Sequence, residues 1–437
     1  MLGGPRMLDH LHDDGVRHVL LQCDLTALRR VLAVSQRLAA LTHDLIRSAD
    51  WSRLNMAELQ LALWDSKRMP TMRCYGLEEP DSNWRVSVHG DDVFTAGVND
   101  VQIFRIADGT VVHTVPEGAA EVMSAVLHGD YVAMVLMEST SSTEVFEMVS
   151  GKKLKLCHSE KRGRVESLAW VCQEESADSM PMLLEYCRTH GNDSWDAAEA
   201  IGTDPEGALY LWRLGSNLSD AKCVCMCTLP TPPNPTDGEW VNAVMDVQGQ
   251  NVLLMSCSGR CVYAFDISSL ELRYTRTLES LRDSLVSTVR WNLGFMSPMS
   301  YYEGWTALPR NDGIIELWRS STPGVGDDEH FYDLLPEEEH DYSKKLCDMH
   351  SVALAADIFA CGMGGLGYVV ISSRKPYRRI KYFDYEECGG TIGSADMFAR
   401  SIAIHDTRII TTFSTSREDC LKYGPRVYLA ICDIGLA

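Results

Sequence analysis

Several signatures of chemistry are missing from this sequence. It has no Walker loop, no His-Glu-x-x-His pair, no Gly-x-Ser-x-Gly elbow and no Cys-x-x-Cys hook. These absences remove the commonest routes to nucleotide binding, zinc-dependent hydrolysis, serine-nucleophile catalysis and structural zinc. Positive charge is scarce as well: 40 Lys and Arg stand against 61 Asp and Glu, a formal net charge of −21. Such a field repels polyphosphate, so nucleic acid is not expected as a partner and basic or neutral proteins fit better.

A convincing membrane span is also lacking. The most apolar long stretch, Val352 to Ile371, carries Asp357 and four glycines, so two buried strands joined by a hairpin are expected there. The opening MLGGPRMLDH has neither the apolar core of a signal sequence nor the Arg/Ser-rich character of a transit peptide, and residues 1–8 are expected to be a flexible lead-in. The 15 cysteines are odd in number, irregularly spaced and accompanied by 19 Met, which reads as reduced thiols in a cytoplasmic or nuclear protein. What the chain does have is core material, with 45% apolar and 23% charged residues.

Residues 9–69 carry a helical period. From Asp24 onward, Leu25, Leu28, Val31, Leu32, Ser35, Leu38 and Leu41 recur at the spacing of one helix face, with Asp24 as its N-cap. Leu11, Val16, Val19 and Leu20 suggest a shorter helix upstream. Downstream, Asn55 and Glu58 have the spacing of a capping box that opens a helix through Leu59 and Leu63. So small a head buries too little to stand alone and is expected to lean on its neighbour or on a partner.

Leu11, Asp14, Val19, Leu20, Leu25, Leu28, the pair Val34-Ser35, Leu38, Leu41 and the closing Trp51-Ser52-Arg53-Leu54 resemble the F-box. This is the three-helix module that docks on the adaptor subunit of cullin-RING ubiquitin ligases. The resemblance implies an adaptor-docking set of Leu11, Val19, Leu20, Leu25, Leu28, Val34, Leu38, Leu41 and Trp51. The alternative for these residues is a helical cap packed on the domain that follows.

From residue 70 to 437 the period changes to short alternating runs broken by Gly, Asp and Asn, as in an all-β domain. Ser87-Val88-His89-Gly90-Asp91 recurs as Ala125-Val126-Leu127-His128-Gly129-Asp130, with echoes at Asp246-Val247-Gln248-Gly249 and Ala403-Ile404-His405-Asp406. A second mark ends a strand-like run seven times: Phe104-Arg105, Phe146-Glu147, Trp212-Arg213, Phe265-Asp266, Trp318-Arg319, Ile371-Ser372 and Ile431-Cys432. Their spacing suits blades of roughly 40–50 residues with insertions. The fold class expected is therefore mainly β: a seven-bladed β-propeller preceded by a small all-α domain. The last repeat offers only three strands, so residues around Thr71 to Gly76 are expected to supply its outermost one. The marks stand where the WD-repeat family, which these runs resemble, places its Trp-Asp. Residues 173–206 and Thr231 to Gly238 read as loops of the third blade, and Asp327 to Asp341 as an acidic excursion between the fifth and sixth.

Four constellations could carry chemistry. Gly362-Met363-Gly364-Gly365-Leu366-Gly367 matches a dinucleotide fingerprint, but a strand follows instead of a helix, so a tight hairpin is expected. His89 and His128 precede Gly-Asp and read as turn residues. Cys223, Cys225 and Cys227 alternate along a strand and read as small buried thiols. Arg374, Lys375, Tyr377, Arg378, Arg379 and Lys381 form a cationic segment that reads either as a partner-binding patch or as a solvated hairpin protecting an edge.

No cofactor, metal or catalytic residue is expected. The function implied is a protein-interaction scaffold resembling an F-box substrate receptor, with the head on the ligase adaptor and the propeller on the client. The alternative is a non-catalytic structural subunit of a large assembly, whose partners are its neighbouring subunits.

Overall fold

The computed structural model describes residues 12–21, 23, 27–28, 31, 35–46 and 56–66 of the head. In the remainder it describes 70–77, 85–96, 101–115, 121–137, 141–156, 164–171, 182–188, 207–215, 218–229, 244–248, 251–255, 261–277, 299–302, 304–309, 314–319, 330–333, 349–363, 368–374, 377–384, 397–415 and 427–434.

Among the described residues, twenty-eight strands form seven four-stranded antiparallel sheets. Blades 1 to 6 span 85–114, 121–155, 164–228, 244–277, 300–333 and 349–384, each a meander of strands a to d in chain order. Blade 7 joins 397–433 to Thr71–Leu77, which pairs antiparallel with Val427–Asp433 as the fourth strand. The a strands of blades 2 and 3, 3 and 4, 5 and 6, and 6 and 7 pack on one another, and so do those of blades 7 and 1, where the ring closes. A four-stranded blade cannot shield both its faces, and closing the ring does so at every seam. Closure by a strand from before blade 1 gives the ring a second tie: the Arg73 guanidinium donates to the carbonyls of Ile106 and Ala107 on blade 1, and Tyr75 lies against Phe104.

All seven marks fall on c strands, and Phe104, Phe146, Trp212, Phe265, Trp318, Ile371 and Ile431 are all buried. Beside four of them the outer strand bulges, leaving Val112, Val224, Arg273 and Ile380 without a register partner. A bulge bends the d strand away and so blunts an edge that would otherwise pair with other chains. The His-Gly-Asp repeats are a–b turns, as read: Gly90 and Gly129 sit at φ 57 and φ 53, in the left-handed region that glycine reaches at little cost. Asp406 takes the same conformation in the blade 7 turn, at φ 49.

The head contains α1 (Asp13–Leu21), α2 (Gln36–Ile46) and α3 (Met56–Trp64). The single helical face expected from Asp24 to Leu41 is interrupted. Ser35 is non-helical, and its hydroxyl accepts a hydrogen bond from the Leu38 amide (3.2 Å), capping α2. The apolar spacing continues across the cap because both sides of the break line one core of Val16, Leu20, Leu28, Leu38, Leu41 and Leu45. Helix α3 begins just after Asn55 as expected, though the capping residue itself lies outside the described residues.

Three further expectations need correction. Residues 173–206 are not all loop: Met182–Arg188 is strand b of blade 3, buried from Met182 to Cys187. The acidic excursion 327–341 contains His330–Asp333, strand d of blade 5. The apolar stretch Val352 to Ile371 covers parts of three strands, since Met349–Leu354, Ile358–Met363 and Tyr368–Arg374 are neighbours in one sheet. Of the glycine-rich run, Gly362 and Met363 end strand Ile358–Met363 and a strand, Tyr368–Arg374, follows; the expected hairpin at 364–367 lies outside the described residues. No described helix is long and apolar enough to cross a membrane.

Candidate functional site

Strand direction divides the ring into two faces. The a–b and c–d turns of every meander open on one face, and the b–c and d–a connections open on the other. Gln60 of α3 donates its amide to the carbonyl of Asp406, in an a–b turn, so the head sits on the first face, over blades 6 and 7. Trp64, fully buried, joins the core of those two blades with Ala353, Ile358 and Ile402, and Leu63 belongs both to that core and to the head's own. Helix α3 is apolar nearly all round, MAELQLALW, because it is buried on two sides.

The opposite face receives the longest stretches of chain between strands. Segments 189–206, 230–243, 278–298, 334–348, 385–396 and 416–426 all join strand ends there, whereas 172–181 and 320–329 open on the head's face. Long connections on a rigid scaffold are where binding residues concentrate. The molecule thus offers two separated candidate surfaces, one on the head and one across the ring.

Of the adaptor-docking set, Leu20, Leu28, Leu38 and Leu41 lie inside the head's core. Val19 is 43% exposed on α1, between buried Val16 and Leu20. Leu11, Leu25, Val34 and Trp51 lie outside the described residues. Arg37 of α2 is bonded to Asp13 of α1 (2.6 Å), and this hydrogen bond holds the Asp13 carboxyl below its ordinary range. The pair links α1 to α2 at the surface of the head, where an ion pair this exposed adds little stability.

The cationic segment spans the c–d hairpin of blade 6. Arg374 ends strand c, and Tyr377–Asp384 is strand d, the outermost of its sheet. Because Ile380 is bulged out of register, Arg378, Arg379 and Lys381 occupy consecutive positions opposite Ser373, Ser372 and Ile371.

Other groups are absorbed into the fold. Glu185 is fully buried at the seam of blades 2 and 3, where it accepts hydrogen bonds from the Thr143 hydroxyl and from Trp212 Nε1 (2.8 Å). No sequence motif announced it; the only signal was one acidic residue inside the apolar run Met182-Leu183-Leu184-Glu185-Tyr186. Glu316 is likewise buried and pairs with Arg276 of the adjacent blade (2.6 Å), whose guanidinium lies 4.7 Å from the centre of the Trp318 ring. His128 rests against Trp170 of blade 3 at 6.0 Å, and burial lowers its pKa. The three thiols of strand Ala221–Thr228 are not the buried run expected: Cys223 is exposed, while Cys225 and Cys227 are half-buried against the core of blades 3 and 4. The bulge at Val224 breaks their alternation, and as an outermost strand this one has no neighbour to cover it. Among the described residues no group of His, Cys, Asp and Glu could hold a metal ion.

No protein-family profile matches this chain, and no curated protein does. Among solved structures it is similar to the β-propeller domain of Cps50 (Swd1) from Myceliophteria thermophila, with a TM-score of 0.50 and 12% identity over 82% of this chain and 99% of that one. It also matches the computationally designed Ika8 protein, with a TM-score of 0.44 and 10% identity over 78% of this chain and 81% of that one. The first likeness supports the propeller fold and nothing further, and the second carries no argument.

Proposed function

We propose that this chain is a substrate receptor of the F-box kind, with the head engaging a ligase adaptor and the propeller holding the client. A propeller suits a protein-interaction scaffold, because its rigid ring holds surfaces on which partners can dock. The observation that carries the reading is the double burial of α3. Trp64, Gln60 and Leu63 join the head to blades 6 and 7 on one face, so a client bound on the other face is held at a fixed distance from whatever the head binds.

The test must use an exposed residue, because an aspartate at Leu28 or Leu38 would break the head's core whatever its role. Val19→Asp changes the surface of α1 and leaves the core intact. Expression of the tagged chain in cells should recover the adaptor and a cullin with the native sequence and lose both with Val19→Asp. Equal recovery from the two would refute docking through α1.

A second reading, a structural subunit of a larger assembly with the head as a cap on its own ring, draws support from the inward placement of Leu20, Leu28, Leu38 and Leu41. It predicts a stoichiometric complex free of adaptor and cullin in the same purification.

A further inference from the structure

Blade 7 is built unlike the other six. In blades 1 to 6 strand d follows strand c along the chain, so a c–d connection holds the outer strand to its neighbour. In blade 7 the register partners at that end of the sheet, Asp433 of strand c and Thr71 of strand d, stand 362 residues apart. What leads into Thr71 is helix α3, with only residues 65–70 between Trp64 and the strand. The head therefore joins the ring where a c–d connection would stand.

The closing strand has few holds of its own. It is the outermost strand of its sheet, with one neighbour, and of its seven residues only Leu77 is buried. Its side chains divide between two seams. Tyr75 and Leu77 pack in the core shared with blade 1, whereas Met72 and Cys74 lie half-buried against the core of blades 6 and 7, which Trp64 joins and Leu61 and Leu63 flank. Polar contacts run the same way. Gln60 donates to the Asp406 carbonyl; two residues on, Arg408 donates to the Asp433 carboxylate (2.9 Å), and the Asp433 carbonyl accepts from the Thr71 hydroxyl (3.2 Å). Lifting α3 away takes Trp64 out of the core on which Met72 and Cys74 rest and cuts the first link of this series.

We propose that α3 is the latch of the ring: it takes the place of the c–d connection that blade 7 lacks, so the head and the closing strand open as one cooperative unit. Contiguous segments that share a core and have few other contacts open together, at less cost than unfolding the whole. Opening exposes the edge of Val427–Asp433, a row of backbone donors and acceptors able to pair with another chain. A partner that docks on α1 leaves the latch shut, whereas one that peels α3 from blades 6 and 7 turns the closed seam into an open edge. The latch works the same way whatever the head binds, so adaptor recovery in the Val19 test stands or falls separately.

The experiment reads amide exchange at Thr71–Leu77 and alkylation of Cys432 by N-ethylmaleimide, both by mass spectrometry on the full chain. Cys432 stands opposite Met72 and has no exposed surface, so it reacts when the closing strand leaves; Cys187, as enclosed in blade 3, reports unfolding elsewhere. Trp64→Ala should raise both readings by at least roughly tenfold, in step with exchange in α3, and leave Cys187 unchanged. Gln60→Ala removes only the polar link, and a smaller rise at the same sites is expected, which keeps the test open if the larger variant fails to fold. Leu253→Ala opens a cavity in fully buried surroundings of blade 4 and should not raise Cys432 above Cys187. Faster exchange in α3 with Thr71–Leu77 and Cys432 unchanged, no change in α3 in either head variant, or equal rises at Cys432 and Cys187 in Trp64→Ala would overturn the proposal.

Discussion

Replacing Trp64 by alanine asks whether the head is bolted to the ring or merely follows it. The indole is fully buried in the joint core of blades 6 and 7, between half-buried Leu61 and Leu63. Removing an aromatic side chain from so enclosed a site costs about 3–5 kcal/mol, part of it lost transfer energy and part the cavity left behind. Gln60 adds one hydrogen bond to the Asp406 carbonyl, worth about 1 kcal/mol, which the variant retains. The cost should fall on the local opening of the head, since α3 is its only described helix in the ring's core. At 1.4 kcal/mol per factor of ten, amide exchange in α3 should accelerate by roughly two to three and a half orders of magnitude. Hydrogen–deuterium exchange read by mass spectrometry resolves peptides from α3 and from each blade. Fast exchange in α3, a smaller increase in α1 and α2 through Leu63, and unchanged protection in blades 2 and 3 are expected. Unchanged exchange in α3 would show that the head does not depend on this contact, and equal loss across the blades would make Trp64 a keystone of the whole ring instead of a head anchor.

Two further predictions concern the ring itself. Gly109 lies at φ 69 with the Tyr75 ring against it, so that a Cβ there would come within 1.8 Å of Tyr75 Cζ; Gly129, at φ 53, has open space around it. Gly129→Ala should cost only the backbone penalty of about 1–2 kcal/mol, whereas Gly109→Ala must also displace the closing strand and should lower the thermal midpoint by distinctly more. The same loss from both would remove Tyr75 from the account of closure. His128, whose pKa burial lowers, is harder to charge in the folded chain than in the unfolded one. Its contribution is therefore complete above the unfolded value of about 6.5 and is lost as pH falls through the lower folded value. Stability measured by denaturant titration should fall less steeply on acidification in His128→Gln than in the native chain, and parallel curves would refute this role.

Much of the ring was legible in the sequence because its repeats solve the same problem seven times. Each blade must bury one large residue at the end of its c strand, and Phe104, Phe146, Trp212, Phe265, Trp318, Ile371 and Ile431 do so at similar spacing. The missing fourth strand of the last repeat could be counted for the same reason, and Thr71–Leu77 fills it. What the pattern concealed was local. Met182–Arg188 is flanked by polar chain on both sides, so a window averaged over its surroundings reads as loop although six consecutive residues are buried. His330–Asp333 is too short to show a period. Ser35 fits the apolar stripe by position while acting as a cap, since spacing alone cannot tell a continuous helix from two that share one core. The exposure of Cys223 depended on which strand is outermost and where it bulges, and neither is written in the alternation of the thiols.

The seams between blades explain why such a ring can act as a rigid spacer. In blades 5, 6 and 7 an a-strand serine accepts a hydrogen bond from the a strand of the next blade: Leu354 donates to Ser300 (2.9 Å), Ile402 to Ser351 (3.3 Å) and Val86 to Ser401 (3.0 Å). The last of these crosses the seam where the ring closes. Glu185 with Thr143, and Arg276 with Glu316, tie blades 2 to 3 and 4 to 5. Apolar contact alone is non-directional and would tolerate sliding of one blade on another. A buried hydrogen bond does not, because a displaced donor or acceptor is left unsatisfied at about 1–3 kcal/mol. The head meets the ring at blades 6 and 7, which the Ile402–Ser351 bond links, so it is seated across a seam held in register. A scaffold that must present one partner to another at a set distance needs this placement, whereas a receptor relying on a flexible tether would have no use for it.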